Sequence, residues 1–176
     1  MENKSNKFVI LFAGAVGSSK SPIATYLSFK LDLPIFIHDV IRTEVKEDLG
    51  KMDVNEYAKR RDERLREIIA KGDSFIYDAS VDRSWEMRKA QLLAAGYKYC
   101  IVSLDLSISF LEQLCKIKNY TETLTVIDNF VLEHNTFLNR FKDDVIVHIT
   151  DETFPSRLNI AYNAVKKWID ENSKLI

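Results

Sequence analysis

Two cysteines in 176 residues exclude a disulfide framework, and neither Cys100 nor Cys115 has a companion at metal-ligand spacing. Both read as reduced packing residues, one in a strand and one in a helix. Charge of one sign is also lacking. The 25 basic and 26 acidic residues leave a formal net charge of −1, so no global field draws the chain to nucleic acid or to an anionic membrane. The longest apolar run, Phe8 to Val16, is too short to span a bilayer. Nothing before it resembles a signal peptide, and the expected compartment is the cytoplasm. No repeat, low-complexity tract or linker-like stretch divides the chain. One domain covering residues 1–176 is expected, and an apolar content of 46% suffices to fill its core.

One stretch stands out, from Lys7 through Phe-Val-Ile-Leu-Phe-Ala to Gly14-Ala-Val-Gly17-Ser18-Ser19-Lys20-Ser21. Its apolar part predicts a buried strand, its glycines a curled loop, and Lys20-Ser21 the start of a helix. That order matches the phosphate-binding pattern G-x-x-x-x-G-K-[ST], with Ser19 in the place of the second glycine. Gly14, Ala15, Gly17, Ser18, Ser19, Lys20 and Ser21 are the candidate nucleotide-binding residues. Consecutive backbone N–H groups and the helix start attract an anion. Lys20 supplies a mobile charge for β- and γ-phosphates, and the Ser21 hydroxyl can ligate Mg²⁺.

The rest of the chain alternates strand and helix signals. Ile23, Ala24, Leu27 and Leu31 give a helical face over about 20–31, and Pro34 opens a short strand to Ile37. A charged helix runs from about Val40 toward Gly50, and Asp53 with Glu56 starts another whose apolar face is Val54, Tyr57, Ala58, Leu65, Ile68 and Ile69. The mixed charges Lys59 to Arg64 read as its solvated side. Further strands are predicted over 74–78, 97–105 and 145–149. Helices are predicted over about 84–95, 107–118 and 124–141, with a last one after Pro155. This alternation predicts a three-layer α/β domain with a parallel sheet, its ligands outside the carboxyl ends of the strands.

Three polar clusters fall at such ends: the loop after strand one, Asp39 and Arg42 after strand two, and Asp78 after strand three. Asp39 suits a group that accepts or orients an acceptor proton, or an N-cap for a helix starting at Val40. Arg42 suits substrate binding or a surface ion pair. Asp78 suits the water shell of Mg²⁺, or a cap before Ala79-Ser80. Arg83 and Arg88, on the next helix, are candidates for binding a substrate or phosphate. His38 and His148 read as structural strand-end histidines, and His134 as a satisfied core histidine.

The runs Gly14 to Ser21, His38-Asp-Val-Ile-Arg42 and Phe75-Ile-Tyr-Asp78 resemble the P-loop kinases of the nucleoside-monophosphate-kinase-like group. Nearest in style are polynucleotide kinase, gluconate and shikimate kinases, chloramphenicol phosphotransferase and zeta-type toxins. The resemblance covers nearly the whole chain. It implies a five-stranded sheet in the order 2-3-1-4-5, ATP as donor, acceptor-binding helices at about 40–71 and a lid at about 106–141. It makes Lys20 and Asp39 the catalytic pair, Asp39, Arg42, Arg83 and Arg88 the substrate-binding set, and Ser21 and Asp78 the metal-binding residues.

Two departures stand out: Ser19, and a lid without arginine from Leu106 to Asn139, where Lys116 and Lys118 occur and Arg140 follows. The expected activity is therefore ATP- and Mg²⁺-dependent phosphorylation of a hydroxyl or similar group on a small molecule. A nucleotide-binding regulator with weak or lost catalysis is the alternative. A nucleic-acid end kinase is a third reading, opposed by the balanced charge.

Overall fold

The computed structural model describes residues 7–173, so the ends of the expected 1–176 domain lie outside the described residues. Strand β1 (Phe8–Ala13) is its centre, with Val9 to Ala13 all at 0% exposure. Successive side chains point to opposite faces. Val9, Leu11 and Ala13 pack with Phe75, Trp85 and Phe137, while Ile10 and Phe12 pack with Ile23, Leu27, Ala161 and Val165. Burial of Val9, Ile10, Leu11 and Phe12 contributes about 1.5–3 kcal/mol each, which makes this strand the axis of the core.

The remaining elements follow as α1 (Lys20–Leu31), β2 (Ile35–Ile37), α2 (His38–Leu49), α3 (Val54–Lys71), β3 (Phe75–Ser80) and α4 (Trp85–Ala94). They continue as β4 (Lys98–Leu104), α5 (Ile108–Ile117), α6 (Thr121–Leu124), α7 (Ile127–Phe141), β5 (Val145–Ile149) and α8 (Arg157–Ser173). The five strands are parallel in the order β2-β3-β1-β4-β5, as the resemblance implies. Helices α1, α5 and α8 cover one face, and α2, α3, α4 and the second half of α7 the other. Both cysteines are buried and free.

Several local expectations give way to tertiary structure. Helix α2 begins at His38, directly from β2, so Asp39 lies in its first turn and is not the cap. Asp53 does cap α3, accepting from the N–H groups of Asn55 and Glu56, but Val54 is 70% exposed and outside the apolar face. The helix expected over 124–141 is split between α6 and α7 at Thr125-Val126. Pro155 sits in a 3₁₀ turn, Phe154–Ser156, ahead of α8.

Strand β3 also runs two residues past Asp78, and there it is bulged. Leu11 pairs with Tyr77 but the next β1 residue, Phe12, pairs with Ser80. Asp78 and Ala79 are extra relative to β1. A bulge of this kind re-aims side chains, and Asp78 turns toward the start of α1.

At the carboxyl end of β1 the chain must leave the sheet under the carbonyl of Leu104. Gly14 does so at φ 134°, and a Cβ there would lie 2.9 Å from the Leu104 oxygen. Gly14→Ala therefore combines a conformation closed to L side chains with a clash against backbone. It should lower unfolding free energy by about 2–4 kcal/mol. Gly50→Ala, also at positive φ but with nothing within 4 Å of the added Cβ, should cost only about 1–2 kcal/mol. Denaturant midpoints of the two variants measure the difference, and equal losses would refute the packing role of Gly14.

Candidate active site

The loop between β1 and α1 closes as a cradle. The Ser18 N–H donates to the Ala15 carbonyl, and Ser18 is fully buried. Gly17 (φ 85°) faces Cys115, whose sulfur would lie 2.7 Å from an added Cβ. Ser19 adopts φ 72°, ψ 41°, the left-handed conformation that a glycine reaches without strain. No acidic side chain occupies the first turn of α1, and the Ser19 side chain does not cap it. The positive end of the helix therefore stays directed into the cradle.

Two lysines meet here. Lys20 Nζ donates to the carbonyls of Gly14 (2.8 Å) and Ala15 (2.7 Å) and to Ser18 Oγ (3.1 Å). Burial lowers its pKa to about 8, against the opposing pull of Asp82 and Asp78. Lys118, which follows α5, donates to the Gly17 carbonyl (2.8 Å) and to Ser19 Oγ (2.6 Å). The side chain in the second glycine's place thus has its own cation, supplied from the segment expected to form the lid.

The Ser21 hydroxyl donates to Asp78 Oδ1 at 3.1 Å. Burial raises the Asp78 pKa above the ordinary carboxylate value, opposed by the Ser21 hydrogen bond and the Lys20 charge. Two oxygens so placed fit Mg²⁺, which takes one or two protein ligands and fills its remaining positions with water and phosphate oxygens. Asp39 is exposed and lies 3.5 Å from Arg42. Lys20, Ser21, Asp39, Arg42, Asp78 and Lys118 line one cleft of about 640 Å³. A second cleft, of about 340 Å³, is contiguous with it through Val16, His38, Arg42 and Ser80. Arg83 and Arg88 line this second cleft together with Arg61 and Tyr77. Arg140 lines neither; it is exposed and paired with Glu86 at 2.9 Å.

Asp82 is absent from the sequence reading. Both its oxygens accept from the Gly14 N–H (3.2 and 3.1 Å), and Oδ2 lies 3.2 Å from His134 Nδ1. His134 Nε2 lies 3.2 Å from Ser103 Oγ. The core histidine is therefore tied to the loop. Arg61 was also missed. Arg60 and Arg64 on the same charged run pair with Asp48 and Glu44 of α2, while Arg61 turns to the cleft. His148 is exposed on β5.

No protein-family model matches the chain, and no curated protein matches it in sequence. Solved structures match it in fold. Gluconokinase from Sinorhizobium meliloti shares 14% identity at a TM-score of 0.65, covering 94% of this chain and 95% of that one. The Mycobacterium tuberculosis APS kinase, in complex with AMPPNP and APS, shares 15% identity at 0.62, covering 92% and 98%. Shikimate kinase from Aquifex aeolicus shares 15% identity at 0.58, covering 95% and 99%. All are P-loop kinases, and the chain has their fold.

His38 links the two clefts and gives a pH prediction. Its ring packs on Phe36 and Tyr77, and Nδ1 lies 3.1 Å from the Tyr57 hydroxyl. Burial, then the charges of Arg61, Arg88 and Arg42, push its pKa from 6.5 down to about 4. Below pH 6.5 the unfolded chain takes a proton at His38 that the folded chain refuses. Stability is full above that pH and falls by up to about 1.4 kcal/mol per unit as pH drops toward 4. Melting curves between pH 7 and about pH 5 should show this slope, and His38→Phe should flatten it. An unchanged slope in the variant would refute the assignment.

Proposed function

We propose that the chain is an ATP- and Mg²⁺-dependent kinase that phosphorylates a hydroxyl, or a similar group, on a small molecule. The observation that carries this reading is the convergence of the β1–α1 cradle, the Ser21–Asp78 pair and Asp39 on one cleft. The P-loop kinase fold around that cleft supports it.

The roles follow from position. Backbone N–H groups of Gly17 to Ser21 receive the phosphates, and Lys20 exchanges its loop carbonyls for the β- and γ-phosphate oxygens. Ser21 and Asp78 would hold Mg²⁺, whose charge offsets that of the phosphates when bound. Lys118, already on the cradle, supplies a cation from a lid segment that has no arginine between Leu106 and Asn139. Asp39 accepts the proton of the acceptor hydroxyl as its oxygen bonds to the γ-phosphorus and the β–γ bridging bond breaks, releasing ADP. Arg42, beside Asp39, holds the acceptor in line. A cleft open to solvent and a balanced charge suit a small-molecule acceptor rather than a nucleic acid.

Two variants test the assignment. Lys20→Ala should weaken ATP binding by about ten- to a hundredfold, the equivalent of one charge-assisted hydrogen bond. Calorimetric titration showing unchanged affinity would refute it. Asp39→Asn keeps the shape and should leave ATP binding intact while lowering kcat by about 10²–10⁴-fold. The assay is ATP consumption across a panel of sugars, nucleosides, antibiotics and oligonucleotides. Full turnover in Asp39→Asn would place the proton acceptor elsewhere. If Mg·ATP raises the melting temperature but no acceptor is turned over, the nucleotide-binding regulator replaces the kinase.

A further inference from the structure

The turn after β3 and helix α7 meet beside the cradle through a buried pair. The Asp82 and His134 side chains are each 5% exposed, and Asp82 Oδ2 lies 3.2 Å from His134 Nδ1. The other ring nitrogen, Nε2, lies 3.2 Å from the Oγ of Ser103, which is fully buried on β4. The ring is stacked on Phe137, with centroids 6.2 Å apart, so the core sets its plane. With the proton on Nδ1, the row runs in one direction. The Ser103 hydroxyl donates to Nε2, Nδ1–H faces Asp82, and both Asp82 oxygens accept the Gly14 N–H. A buried carboxylate is costly unless donors surround it, and these are the donors.

Two more exposed ion pairs flank the buried one. Arg83 lies 2.6 Å from Glu133, and Arg140 lies 2.9 Å from Glu86. Pairs of this kind contribute about 0–1 kcal/mol, too little to fix a backbone. The buried pair is the contact that reaches the loop. At the other end of the cradle Lys118, after α5, holds the Gly17 carbonyl and Ser19. The segment from α5 to α7 therefore grips the loop twice, at Gly14 through His134 and Asp82 and at Gly17 and Ser19 through Lys118.

Resting on the kinase reading above, we infer that His134 and Asp82 are positioning residues for the donor phosphates. His134 holds Asp82, Asp82 holds the Gly14 N–H, and helix α7 thereby fixes the first turn of the cradle. A buried row that serves packing alone is the competing account. It predicts lost stability with nucleotide binding unchanged.

The test uses His134→Leu and His134→Asn, which leave Asp82 in place. Replacing Asp82 would remove a charge that acts on Lys20 and so mix two effects. Leucine removes both ring nitrogens, whereas asparagine returns a side-chain N–H close to the place of Nδ1. The chain has five glycines, so selective ¹⁵N-glycine labelling resolves the Gly14 amide. In nucleotide-free His134→Leu the Gly14 amide proton should move upfield, with Gly50, Gly72 and Gly96 in place, because Asp82 is free to turn away. The Kd of Mg·AMPPNP, titrated calorimetrically below the melting range of each variant, should rise about three- to tenfold. His134→Asn should recover most of both changes. The wild type carries its own test should His134→Leu fail to fold. Saturating Mg·AMPPNP should shift the His134 ring resonances and leave those of His148, exposed on β5, unmoved. The inference is overturned by an unmoved Gly14 amide, by His134 resonances that ignore the nucleotide, or by a Kd within about twofold of the wild type. A wild type that does not bind Mg·AMPPNP overturns the kinase reading and the positioning role together. Binding that His134→Leu leaves unchanged overturns the positioning role alone.

Discussion

Everything at the candidate site depends on where the chain leaves β1, and that point is pinned by the Gly14 N–H on the Asp82 carboxylate. Behind Gly14 lies the Leu104 carbonyl, and beside Asp82 lies His134, itself against Ser103. Four segments, the ends of β1 and β4, the turn after β3 and the middle of α7, thereby meet at one spot. A phosphate cradle made of backbone has no side-chain rotamers to correct its shape, so its precision must come from such anchoring.

The two clefts divide the electrostatic work. In the larger one, the charged groups are hydrogen-bonded internally: Lys20 to the Gly14 and Ala15 carbonyls, Lys118 to Gly17 and Ser19, and Asp78 to Ser21. These groups have partners to exchange when an anion or cation arrives. In the smaller one, Arg88 rests on Gln91 and on the Tyr77 ring, and its charge is felt at His38 and Tyr77. A near-neutral chain thus carries a local positive field at the sheet's carboxyl edge, which the net charge of −1 conceals.

The central strand, the loop and the first helix were legible because their signals lie within a single stretch of sequence, and the strand–helix alternation carried the fold class. The convergence of Lys20, Ser21, Asp39 and Asp78 was legible from their positions at strand ends. What stayed hidden depends on distant pairs or on orientation. Asp82 lies 68 residues from Gly14, and Lys118 lies 99 residues from Ser19. The β3 bulge aims Asp78 at Ser21, and strict alternation cannot anticipate an extra residue. Arg61 sits one residue from Arg60, about 100° around the helix, enough to turn it from α2 to the cleft. Asp39 failed as a cap because β2 passes into α2 without an intervening turn.

The Ser19–Lys118 contact has a consequence for how such a sequence can drift. A glycine at 19 would relieve the left-handed strain but leave the Lys118 ammonium without its hydroxyl partner. An uncharged residue at 118 would strand a serine in a conformation it holds at a cost. Each change alone trades one penalty for another, and only both together restore the usual glycine loop. The two positions are therefore expected to be inherited as a pair, serine with lysine or glycine without it.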